Sequence, residues 1–91
     1  MEKIWIIGIG RFGKLAYRRL AKSKKERRFV LVDPVKENLV QCEGPDTSLE
    51  EADGVDFLEH HLDVGNKPDW IIPALPLHLA AEWFLMRMGP E

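Results

Sequence analysis

Glycines at positions 8, 10 and 13 stand where an apolar run stops and a helical pattern begins, and no other feature limits the possible folds so tightly. Before them, Lys3 to Ile9 reads KIWIIGI, a continuous apolar run suited to a strand buried on both faces of a sheet. After them, Phe12, Leu15, Ala16 and Leu20, with Tyr17 beside them, recur at helical spacing with basic residues on the opposite face. Arg28 to Asp33, RFVLVD, is a second strand ending in an acid, and Pro34 at once stops it or starts a turn or helix. Strand, helix and strand within about 30 residues make a βαβ unit, whose crossover is right-handed.

The remainder extends this pattern. Val35 to Cys42 reads as a short helix, a short third strand, or one leading into the other. Asp46-Thr47-Ser48 followed by Glu50-Glu51 has the form of a helix start, a capping residue with acids in the first turn. Gly54 interrupts or restarts that helix, and Val55, Leu58 and Leu62 continue an apolar stripe. Asp69 to Leu75, DWIIPAL, is a further strand, and Pro73 inside it points to a sheet edge, a strand end or a bulge, because proline has no N–H to donate. Leu77 to Met88 reads as a final helix, apolar almost all round. The expected fold class is α/β: a Rossmann-type parallel sheet of about four strands in the order 3-2-1-4, flanked by helices. At 91 residues the chain suits one domain, about half of a complete dinucleotide-binding fold. The apolar final helix calls for cover, either from a second copy in a homo-oligomer or from a missing second domain.

Composition narrows the setting. Hydrophobic residues at 45% and charged residues at 31% are those of a globular domain and argue against disorder. No apolar run approaches the roughly 18 residues of a membrane span, and the N-terminus lacks the plan of a signal peptide. The single cysteine, Cys42, has no internal disulfide partner, so a cytoplasmic setting is expected. A net charge of −2 gives no electrostatic reason to expect nucleic acid. The charge is nonetheless segregated. Seven of thirteen Lys and Arg residues lie between Arg18 and Arg28, whereas Glu43 to Asp69 holds nine acids against Lys67. A solvated helix end that complements the helix dipole accounts for the basic cluster, and a patch for a polyanion or an acidic partner is the alternative.

The chemistry resides in Gly8-Ile9-Gly10-Arg11-Phe12-Gly13, a G-x-G-x-x-G sequence. Alone it is a weak signal. Here it follows a buried-strand run and opens a helix, and Asp33 ends the next strand twenty residues beyond Gly13. Gly8 permits the tight turn, Gly10 lets a pyrophosphate approach the backbone, and Gly13 lets helix and strand pack closely. The helix N-terminus offers N–H groups and the positive end of its dipole. Asp33 would accept from the adenosine ribose hydroxyls and repel a 2′-phosphate, which favours NAD over NADP, although Arg27 and Arg28 keep NADP open. Arg11 either touches a phosphate or is solvated. Phe12 and Pro34 flank the turn and the acid, and Ala74, Leu75 and Pro76 follow the fourth strand at the edge where open α/β sheets bind ligands. The opposing interpretation is a tight turn that binds nothing, with Asp33 capping the next helix.

No other group competes. Adjacent His60 and His61, near Glu59 and Asp63, point in different directions on a helix, so they read as surface residues and no metal is expected. His78 and Glu82 are four apart and suited to pair; His78 also follows the ligand-side turn, so a catalytic or ligand contact is the alternative. Cys42 lacks a basic sequence neighbour and reads as buried. No nucleophile and base can be assembled, so no catalytic residue is assigned.

The run IWIIGIGRFGKLAYRRL with VLVDP after it resembles the NAD-binding regulatory domains of potassium channels and transporters, the RCK or KTN type. The resemblance covers about the first 35 residues and implies a ligand-sensing domain that often dimerises. The segment IIPALPLHLAAEWF is more similar to NAD-dependent dehydrogenases of the Gfo/Idh/MocA type, matched at Pro76, His78, Ala81 and Glu82. The catalytic lysine of that family comes in a later Glu-Lys-Pro segment that this chain does not contain. Three functions are therefore expected in order: a regulatory module that binds NAD(H), the cofactor half of a dehydrogenase, and a non-binding scaffold.

Overall fold

In a computed structural model, residues 1–63, 65 and 67–74 are described. The elements run β1 (Glu2–Ile7), α1 (Arg11–Ala21), β2 (Arg27–Asp33), α2 (Lys36–Val40), β3 (Thr47–Glu51), α3 (Gly54–His61) and β4 (Trp70–Pro73). All four strands are parallel, in the order β3-β2-β1-β4, and form an α/β fold with flanking helices. This is the class and strand order expected from the sequence. The helix expected over residues 77–88, with His78 and Glu82, lies outside the described residues, as do Leu75 and Pro76.

The apolar run of β1 is central because it is buried on both sides. Ile4 and Ile6 face one layer with Ile9, Tyr17, Phe29, Leu31, Leu39 and Cys42, which places α1 and α2 on that face. Trp5 and Ile7 face the other with Val32, Phe57 and Leu58, beneath α3. Aromatic rings meet edge to face in each layer, Tyr17 on Phe29 at 5.1 Å and Trp5 on Phe57 at 5.2 Å between centroids. The α1 and α2 helices therefore cover one face of the sheet and α3 the other, so the connections change face between the two sides of β1.

Two expectations are corrected, and one open reading is decided. Asp46 to Glu51 does not open a helix: residues Thr47–Glu51 are β3, paired with β2 from Phe29↔Thr47 to Asp33↔Glu51. The ladder to a buried neighbour outweighs the local helix signals, and Asp46 turns the chain into it at φ 54°. The cap belongs instead to Asp53, whose side chain accepts from the backbone N–H groups of Val55 and Asp56 and starts α3 at Gly54. Second, of the readings open for Val35 to Cys42, the short helix is the one formed, as α2. Third, α1 is rotated from the expected stripe. Gly13 and Tyr17 are buried, with Ala16 and Leu20 packed partly against the core, whereas Phe12 is 75% exposed and Leu15 44%. The contact of Gly13 with Gly8 sets that rotation.

Pro73 behaves as its chemistry requires. β4 borders β1 alone among the described residues, and Pro73 is its last residue, opposite Ile7. The Ala74 N–H then donates to the Ile7 carbonyl at 2.8 Å. At the other end, Asp69 clamps β4 to β1: its N–H donates to the Lys3 carbonyl at 2.9 Å, and its carboxylate accepts from the Lys3 N–H at 2.7 Å.

Candidate functional site

Each glycine of the turn has its own environment. Gly8 has φ 96°, in the region that side-chain-bearing residues avoid, and its N–H extends the ladder to the Val32 carbonyl at 2.7 Å. Gly13 lies so close to the Gly8 carbonyl that a Cβ there would fall far inside van der Waals contact. Gly10 differs from both. It is exposed, its φ of −85° suits any residue, and a Cβ built on it would meet nothing within 4 Å among the described residues. The fold thus accounts for the glycines at 8 and 13, but not for the one at 10.

Gly10 is also the N-cap of α1, and among the described residues no side chain caps that end. The first turn holds no acid, and Arg18 and Arg19 lie in the last turn, where cations complement the helix dipole. A segment of helix presenting N–H groups without a side-chain partner is suited to receive an anion.

Asp33 sits beneath the turn at 6% exposure. Its Oδ2 accepts from the Ile9 N–H at 2.7 Å, while Oδ1 accepts from the Val35 N–H at 2.8 Å and from Asn38 Nδ2 at 3.2 Å. One carboxylate therefore ties the glycine turn to the start of α2. Three of about four acceptor positions are filled from within the chain. Pro34 follows, exposed, in the turn before α2, and Ala74 is half-buried beyond β4, next to β1. Gly8, Gly10, Arg11, Phe12, Gly13, Asp33, Pro34 and Ala74 thus gather at the carboxyl edge of the sheet.

A groove of about 530 Å³ opens beside Gly10, between α1 and α2. Arg11, Lys14 and Arg18 line it on one side, and Asn38 and Gln41 on the other. Lys14 Nζ donates to Gln41 Oε1 across it at 2.8 Å. These groove residues other than Arg11 were not among those expected from the sequence. The available signal was their spacing, since positions 11, 14 and 18 share one helix face.

The remaining candidates are occupied in other ways. His60 Nδ1 lies 2.8 Å from the Asp56 carbonyl, and His61 stacks on Phe57 at 4.4 Å between ring centroids. Among the described residues no cluster of three or more His, Cys, Asp and Glu side chains is placed to hold a metal ion. Cys42 is buried, and burial raises its thiol pKa, against a weaker opposite pull from Lys14 and Arg18. Among the described residues, no helix is long and apolar enough to cross a membrane. No family model matches the chain, and no curated protein or solved structure matches it.

Proposed function

We propose that this chain binds a nicotinamide dinucleotide at the Gly8–Gly13 turn as a ligand-sensing module, with no catalysis of its own. The observation that carries the reading is Gly10. Neither backbone conformation nor packing calls for glycine there, and the uncapped end of α1 lies at the same point. Room for a ligand's pyrophosphate against the backbone supplies the missing reason. Asp33 then serves the site by holding the turn in shape through Ile9. NAD(H) is the form that the acid at position 33 suggests by residue type. The proposal includes a cytoplasmic setting and self-association, for which the apolar sequence of residues 77–88 is the support. The cofactor-binding half of a dehydrogenase is the second reading, supported by the 3-2-1-4 strand order.

Calorimetric titration of the full chain with NAD⁺, NADH, NADPH and AMP tests the binding step, with Gly10→Val as the informative variant. Saturable binding by the wild type, lost in a Gly10→Val protein that melts at nearly the same temperature, is the expected result. Absence of binding by the folded wild-type chain sinks the proposal.

A further inference from the structure

Arg11, Lys14 and Arg18 follow one another at steps of three and four along α1 and line the groove beside Gly10. Among the described residues, no acid lines this groove. A pyrophosphate held at the turn needs only Gly10 and the end of α1, so Lys14, bonded to Gln41, and Arg18, in the last turn of α1, lie beyond what it uses. The acid that would discriminate against a second phosphate is turned to another task. Asp33 is buried, is not part of the groove lining, and has both oxygens engaged by Ile9, Val35 and Asn38. Its bonding to three N–H groups offsets its charge locally and leaves it poorly placed to grip two ribose hydroxyls.

We propose that this groove takes a phosphate monoester carried on the adenosine ribose, so that the 2′-phosphorylated dinucleotide NADP(H) binds in preference to NAD(H). The inference rests on the reading that the pyrophosphate sits at the glycine turn, because Gly10 belongs to both the turn and the groove. It reverses the preference suggested by residue type at position 33. The reason is that the Asp33 carboxylate is spent on the fold, while Arg11 and Arg18 of the groove are exposed and Lys14 is half-buried between α1 and α2. Guanidinium groups match a phosphate dianion in charge and in donor geometry. Asn38 and Gln41 add amide groups on the opposite wall.

The test is calorimetric titration of the full chain with NADPH, NADH, adenosine 2′,5′-bisphosphate and 5′-AMP, repeated with Arg18→Ala and with Lys14→Ala/Arg18→Ala. Arg18 is exposed and Lys14 half-buried, neither belongs to the apolar core, and thermal unfolding checks that the variants fold. NADPH is expected to bind roughly tenfold or more tightly than NADH, with the same order for the two adenosine phosphates. That ratio is expected to shrink in the variants, while NADH affinity changes little. Raised salt should also shrink it. Equal or tighter binding of NADH overturns the groove proposal alone, as does a ratio that the variants leave unchanged. Failure of every nucleotide to bind overturns both it and the reading beneath it.

Discussion

Gly13, Gly10 and Asp33 lie within one turn of each other and make three different demands. At Gly13 an added methyl group meets the Gly8 carbonyl, and that atom cannot move without disturbing the β1–β2 ladder. Gly13→Ala is therefore expected to lose about 1–3 kcal/mol of stability, read from urea unfolding midpoints. At Gly10 the added methyl points into open space, so Gly10→Ala should change stability by less than about 1 kcal/mol while weakening dinucleotide binding. The pair separates a packing glycine from a ligand glycine in a single denaturation experiment. Asp33→Asn keeps the shape of the side chain but sets an amide N–H against a backbone N–H, either at Ile9 or at Val35. A loss of about 1–3 kcal/mol is expected, with the turn loosened at the same time. Asp33 variants consequently report on the fold before they report on a ligand.

Among the elements, the short ones depend most on individual polar groups. α3 has eight residues, and Asp53 satisfies two of its first N–H groups. Asp53→Ala should cost about 1 kcal/mol, seen as a lowered unfolding midpoint. β4 has four residues, and its attachment at the amino end involves Glu2. The Glu2 carboxylate accepts from Arg27 Nε on β2 at 2.8 Å and from Trp70 Nε1 on β4 at 2.9 Å, and so spans three strands. Arg27 also donates to the Leu20 carbonyl at 3.0 Å, tying the end of α1 into the same group. The bond from Arg27, followed by that from Trp70, holds the Glu2 pKa below its usual 4.5. A depressed carboxylate pKa stabilises the fold above the unfolded-state value and ceases to do so as pH falls through the folded-state value. The stability difference between wild type and Glu2→Gln is thus expected at pH 6 and should vanish on acidification below the usual glutamate range. A difference independent of pH would remove Glu2 ionisation from the account.

Across the whole molecule, the sheet separates two apolar layers, and Cys42 belongs to the one beneath α1 and α2. Its buried thiol has a raised pKa, so the thiolate form that alkylating agents need is scarce in the folded chain. Labelling by iodoacetamide at pH 8 should be slow in buffer and fast in urea, and should track the loss of the fold. Rapid labelling without denaturant would mean that the layer opens locally near α2.

The sequence by itself determined the fold class, the strand order, the position of the glycine turn and the placement of Pro73 at a strand end. Each of these depends on local information: an apolar run too continuous for a one-sided strand, a backbone position that only glycine occupies, and a proline with no N–H to donate. Tertiary structure alone decided the rest. The segment Asp46 to Glu51 carries helix-start residues, and only pairing with β2 makes it a strand. The buried side of α1 follows from the approach of Gly13 to Gly8, a contact between residues whose relative placement no periodicity reveals. The orientation of Asp33 was open in the same way. A carboxylate at the end of a strand can reach a ligand or the chain's own N–H groups, and here Ile9, Val35 and Asn38 claim it because the fold delivers all three donors to that one point.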